Sequence, residues 1–462
     1  MRKTKLAITI FTLCGIVLAG AGCGGPSTAQ EEAEKKVTIS IWRTTDNSND
    51  FKEIMDSYKV LHPNVSFSYR RIRSSEYKNE LLRAFAEGTG PDIFSIHNSW
   101  LPEYKSLIFP LPSTTSVPYI EEQGTIKKEK VFVMKKEKSI TQTEIEKEFI
   151  SVVPATVIQS LSTSTNSDSS KRIFGLPLSV DTLALYYNKA LLDAAGIATP
   201  PASWDDFKKA VEKITVVGAD DRIIQSGAAL GTGINVDRYF DIVSVLMMQN
   251  RATMTNSNGR AIFAVPRSDE SIPALMATQF YTDFANPQKA VYTWNKDMPN
   301  SLVAFSQGRT AFFFGYAYHR PLISASAPKL KFDVIPLPQI SPDEERSYIN
   351  YANFWIETVS KGSKNKAWAW NFIQYETNAQ NVINYLDNTQ KPTARRALIS
   401  RQLTDDKMSV FANQLLSAQT WYSGKNAQEA EDAMATLITR ILSGFDPIQA
   451  ITDAQNKINL TL

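Results

Sequence analysis

Sixty residues near the start constrain the fold more than any other part of the chain. "VTISIW" (37–42) is apolar enough for a buried strand. Phe51, Ile54, Met55, Tyr58 and Leu61 then follow helical spacing up to Pro63. "VSFSY" (65–69) alternates as a strand. "SEYKNELLRAFAEG" places Tyr77, Leu81 and Phe85 on one helical face and stops at Gly88, and "PDIFSIH" (91–97) is a third strand. Strand, helix, strand, helix, strand in this order predicts a parallel sheet with crossover helices. Ligands of such sheets sit at the C-terminal strand ends. Those ends carry Trp42 and Arg43, and His97 to Trp100.

The chain has 462 residues, more than one ordinary core needs, so two lobes are expected. Residues 1–22 read as a signal peptide. Arg2, Lys3 and Lys5 are followed by an uncharged apolar run, Leu6 to Leu18, too short for a membrane span. "LAGAGCGG" brings small residues up to Cys23, the expected site of lipidation; an ordinary cleaved signal is the alternative. Two acyl chains suffice to hold a protein at a membrane. Cys14 falls inside the signal, so the mature chain keeps one cysteine and no disulfide. The signal holds three basic and no acidic residues. Removing it takes 50 Lys and Arg to 47, against 47 Asp and Glu. A neutral mature chain gives no support to a nucleic-acid partner.

Residues 23–36 read as a flexible tether. Residues 113–172 mix charge clusters ("IKKEKVFVMKKEK") with a Ser/Thr-rich run ("SLSTSTNSDSSK") and are expected to form an inserted, mobile surface segment. "SWDDFKKAVEKI" opens a helix on Ser203, and Asp446-Pro447 opens the last one. "GLPLSVDTLALYYNK" (175–189) is apolar on both parities, as in a strand buried on two faces. Asp181 is the exception, and a carboxylate needs a partner there.

Five stretches, in order, carry a resemblance. They are "AFAEGTGPDIFSI" (84–96), "RIFGLPLSVDTLALYYNKALLDAAGI" with "PPASWDDF" (172–207), "FSQGRTAFFFG" (305–315), "FDVIPLP" (332–338), and "SKGSKNKAWAWNFIQYETNAQ" with "KPTARRAL" (360–398). The chain resembles the extracellular solute-binding proteins of ATP-driven sugar importers, the maltose-binding-protein-like group. The departure is residues 113–172.

The resemblance implies an α/β, two-lobe periplasmic-binding-protein type II fold with three interlobe crossings, near Leu178–Asp181, Ile335–Pro338 and Asn388–Thr393. It implies a first lobe from residues 37–178 and 336–388, and a second from 179–335 and 389–462. A solute held between the lobes would close them, and an ABC-type permease at the membrane would receive it. The expected receptor is exported, lipid-anchored and monomeric, without a cofactor or metal.

Sugar recognition asks for flat apolar surfaces and a few polar groups. The candidate ligand contacts are Trp42, Arg43, Trp100, Asp181, Trp294, Tyr316, Tyr318, Trp355 and Trp421, with Asp46 and Asn98 behind them. For any one aromatic, core packing is the commoner use. The alternatives are another small solute, such as a polyamine or phosphate ester, a secreted carbohydrate-active enzyme, or an adhesin. No G-x-S-x-G, no G-x-x-x-x-G-K-[ST] and no H-E-x-x-H occurs, and the chain has only His62, His97 and His319.

Overall fold

The computed structural model describes residues 27–125, 127–161, 170–220 and 222–462, and the backbone alone of Arg346. The signal segment and Cys23 lie outside the described residues, as does most of the Ser/Thr-rich run.

Among the described residues, sixteen strands follow in chain order. They are β1 (Val37–Arg43), β2 (Val65–Arg71), β3 (Ile93–His97), β4 (Thr114–Gln123), β5 (Glu129–Lys138), β6 (Ile158–Ser160), β7 (Lys171–Ile173) and β8 (Asp181–Thr182). Then come β9 (Ala184–Asn188), β10 (Val216–Val217), β11 (Ile223–Ala228), β12 (Thr310–Gly315), β13 (Phe332–Ile335), β14 (Asn350–Asn353), β15 (Trp355–Val359) and β16 (Ala418–Gln419).

The first lobe is built on the sheet β15-β3-β1-β2. β1 runs parallel to β2 and β3, as the alternation with helices Lys52–Leu61 and Ser74–Ala86 requires. β15 arrives from far along the chain and pairs antiparallel to β3, placing Trp355 opposite His97. The second lobe holds the sheet β10-β11-β12-β9-β13. Leu185, Phe312 and Phe314 enter the main core on one face, while Ala184, Tyr186 and Phe313 enter a smaller core on the other. That two-faced burial is why both parities of "TLALYYN" are apolar.

Between the two larger cores, membership changes three times, while Met408 and Phe411 enter the smaller core of the second lobe. Val180 belongs to the first core and Leu183 to the second; Tyr351 to the second and Ala352 to the first; Ala418 to the first and Trp421 to the second. All three changes fall on one small sheet, β16-β14-β8, with Asn353 opposite Asp181 and Asn350 opposite Ala418. The second and third changes lie beyond Ile335–Pro338 and Asn388–Thr393. Leu337 packs in the second core, and Ala394 and Leu398 pack in the first. Pro336 and Pro338 follow the end of β13, and the change of core comes after them, between Tyr351 and Ala352.

Two surface expectations give way to packed structure. In the expected tether, Thr28–Glu34 is a helix capped by Ser27, with Ala29 and Ala33 buried, and it packs on β4 and β5. Within the expected mobile segment, β4 and β5 pair over ten residues each. Val117 and Tyr119 are buried, and Asn371 donates to the Tyr119 hydroxyl at 3.0 Å. Farther on, Ile145, Phe149, Ile150, Val153 and Val157 are buried in the first core. The charge clusters belong to the hairpin's outer positions, where pairs such as Lys135–Glu121 meet across the strands.

Candidate functional site

The ends of the two lobes' elements meet beside the three-stranded sheet. From the first lobe, β3 delivers His97 to Trp100 at its C-terminal end. Trp100 stands edge-on to Trp355, with ring centroids 5.5 Å apart, and His97 lies 5.8 Å from Trp355. Trp100 packs against both cores. Burial, with Arg238 adding to it, pulls the His97 pKa down to about 3, so the ring is neutral at neutral pH.

From the second lobe comes the start of helix Tyr239–Gln249. Arg238 precedes it in a left-handed conformation with φ 59°, a cost that persists only where surroundings impose it. Its Nε donates to Asp241 Oδ2 at 2.7 Å, and the Tyr316 hydroxyl donates to the same oxygen at 2.6 Å. His97, Asn98, Arg238, Asp241 and Glu431 enclose about 10 Å³, scarcely room for one water. The lobes are therefore closed on each other here.

Beside this contact a cavity of about 300 Å³ stays open. Asn98 forms part of it. Ser151, Val152, Ala155 and Thr156 line one side, from the short helix Val152–Val157 and its cap. Ala418 to Ser423 line the other. Every lining side chain is uncharged. Trp421 is held by Phe240, stacked at 5.8 Å and 18°, and its Nε1 donates to Ser244 Oγ at 2.8 Å.

The other expected contacts divide. Tyr318 is 38% exposed and stacks on Tyr316 at 5.8 Å. Tyr316 itself is fully buried and Trp294 likewise, its Nε1 donating to Asn235 Oδ1 at 3.0 Å. Trp42 is half-buried on the flank of the first core, with the Arg70 guanidinium 4.7 Å from its ring. Arg43 is a core residue. It donates to Glu357 at 3.0 Å and to both Glu376 oxygens at 2.9 Å, and its guanidinium lies 3.8 Å over the Phe51 ring. Trp42, Arg43, Trp100, Asp181, Trp294, Tyr316, Tyr318 and Trp355 do not line the cavity; Trp421 does. Arg43 and Asp46, which Lys391 reaches at 2.5 Å, border a separate gap of about 20 Å³.

Asp181 meets the demand for a partner inside the fold. Its Oδ1 accepts from the backbone N–H of Thr182 at 2.9 Å and of Ala317 at 3.0 Å. Burial, partly offset by these bonds, pushes its pKa up to about 7.

Arg238, Asp241, Ser151, Ala155, Thr156 and Thr420 are not among the contacts expected from the sequence. "DRYFD" offered a signal, an Arg three residues before an Asp at a helix start. Nothing local marked the short helix. Among the described residues no cluster of His, Cys, Asp and Glu could hold a metal ion, and no helix is long and apolar enough to cross a membrane.

Comparison with known proteins places this architecture. A profile described as bacterial extracellular solute-binding protein matches residues 43–383. The chain belongs to this family. A protein of Brucella abortus named as a binding protein is 22% identical over 365 residues, 78% of this chain and 75% of that one. Among solved structures, an ABC transporter solute-binding protein of Thermotoga lettingae, bound with α-D-tagatose, superposes with a TM-score of 0.65 at 19% identity. The superposition covers 92% of this solute-binding protein and 99% of the other. A cyclo/maltodextrin-binding protein with maltotetraose gives 0.67 at 16% identity, covering 92% and 96%. The GacH receptor of Streptomyces glaucescens gives 0.66 at 17%, covering 92% and 97%. The solute-binding protein thus has the two-lobe α/β fold of these receptors.

Proposed function

We propose that this solute-binding protein captures a neutral carbohydrate between its lobes and delivers it to an ABC-type permease. One observation carries the reading: the cavity beside the lobe contact is lined by hydroxyls, amides and Trp421, with no charged side chain. Sugar hydroxyls both donate and accept, as Gln419, Thr420 and Ser423 can, and Thr156 offers an acceptor. The apolar faces of a sugar ring match an indole. A phosphate ester would need cations in the lining and a polyamine would need carboxylates. The bound sugars of the structural neighbours agree with this choice.

We place the lobe limits at 180–183, 351–352 and 418–421, where membership of the two larger cores changes. A sugar touching both walls would favour the closed state over the open one. Export and anchoring through a lipidated Cys23 rest on "LAGAGCGG". Energy for transport would come from the importer's ATPase, and the receptor would act as a monomer without catalysis.

A thermal-shift screen of neutral sugars, glucose 6-phosphate and spermidine tests the reading. A sugar at a hundred times its Kd adds about 2.7 kcal/mol of stability by mass action. Shifts with glucose 6-phosphate or spermidine alone would overturn it. Cleavage of an oligosaccharide by the pure protein would favour an enzyme instead.

A further inference from the structure

We infer that the short helix Val152–Val157, set between β5 and β6, forms the size-limiting wall of the sugar cavity. It restricts the ligand to a mono- or disaccharide. This rests on the carbohydrate reading above. The helix is only six residues long, yet it is fixed from behind. Val152, Val153 and Val157 are buried in the first core, and Phe149 and Ile150 before it are fully buried. Arg396 clamps the entry, donating from Nε to the Phe149 carbonyl at 2.6 Å and from Nη2 to Ser151 Oγ at 2.8 Å. Phe174 N–H closes the exit by donating to the Val157 carbonyl at 3.0 Å.

The face turned to the cavity is correspondingly small. Ala155 and Ser151 are exposed, and the Thr156 hydroxyl is spent as a donor on the Val152 carbonyl at 2.8 Å, leaving it an acceptor for a ligand hydroxyl. In the opposite wall, Trp421 and Tyr422 belong to the second core. The gap therefore spans two lobes, and its width in the closed state depends on how far the Ala155 side chain projects. At about 300 Å³ the space sits at the lower end of the ~300–1,000 Å³ found for small-ligand sites. A long oligosaccharide cannot be enclosed there.

The test is calorimetric titration of wild type, Ala155→Phe and Ala155→Leu with glucose, galactose, mannose, maltose, cellobiose, mannobiose and maltotetraose. Wild type is expected to bind one or more mono- or disaccharides at least about tenfold more tightly than maltotetraose. Ala155→Phe should weaken that binding at least about tenfold, because a ring then occupies the ligand's space. Its melting temperature should stay close to wild type, since Ala155 is exposed. Ala155→Leu, a smaller projection, should weaken binding in the same direction and decides the question if the larger variant fails to fold, wild-type affinity in it overturning the wall. Equal affinity in wild type and a folded Ala155→Phe overturns the wall and leaves the carbohydrate reading standing. Preferred binding of maltotetraose by wild type overturns the size limit. Binding of no sugar by wild type overturns the carbohydrate reading, and this inference with it.

Discussion

The Asp181 carboxylate accepts a hydrogen bond from the Ala317 backbone N–H at 3.0 Å, joining the first change of core to the loop that carries Tyr316 and Tyr318. It is a joint between β8 and the end of β12, so its charge state bears on stability first. Its pKa in the fold, about 7, lies above the ordinary carboxylate value of 3.8. A raised pKa means that the folded state holds its proton more tightly than the unfolded chain. Asp181 thus contributes stability that is full below about pH 4 and is lost as pH rises through about 7. Asn cannot ionise and keeps an acceptor oxygen. The melting temperature of Asp181→Asn minus that of wild type should therefore rise from pH 4 to pH 8. A flat difference across that range would show that the carboxylate is not held protonated.

Arg43 is predicted to be a stability residue and not a ligand contact. It balances two carboxylates in a buried site, and burial raises the Glu376 pKa to about 7 even with Arg43 beside it. Arg43→Met would leave Glu357 and Glu376 unpaired. Breaking a buried pair in this way costs about 3–5 kcal/mol. Urea unfolding should show that loss, while sugar affinity in the variant that remains folded should be near wild type.

Trp421 should report ligand binding. It lines the cavity, whereas Trp294 and Trp370 are sealed in the two cores. Trp421→Phe retains an aromatic ring against Phe240 but loses the bond to Ser244, worth about 1 kcal/mol. The expected outcome is a weaker sugar affinity and a smaller fluorescence change on saturation. An unchanged fluorescence response would place the ligand elsewhere.

The N-terminal helix should protect the chain that precedes β1. Ala33 is 5% exposed where the helix meets the β4–β5 hairpin. Ala33→Glu would place a charge in that contact and undock the helix. Limited proteolysis should then cut before Val37 much faster than in wild type. The melting temperature should fall modestly, by the equivalent of about 0.5–3 kcal/mol.

Much of the architecture was legible because it is local. The periodicity of residues 37–97 specified parallel strands and crossover helices. Ser203 and Asp446 announced the helices they cap, and their side chains accept from Asp206 and Gln449 N–H as the pattern demands. Alternation that was apolar on both parities in "TLALYYN" announced a strand between two cores. It did so because each residue's burial follows from its own position in a pleat.

Tertiary structure alone decided which residues face a ligand. Trp294 and Trp421 look alike in sequence, yet one is sealed in a core and the other edges a cavity. The difference comes from partners such as Asn235 and Ser244, 59 and 177 residues away. The same holds for the second and third changes of lobe, which depend on β14 and β16 meeting β8. It holds too for the short helix Val152–Val157, set opposite Thr420 to Ser423 by Arg396 and the first core. Periodicity tells a side chain that it must be buried or exposed. What it is buried against, and what space two exposed faces leave between them, is set by contacts across hundreds of residues that no local pattern encodes.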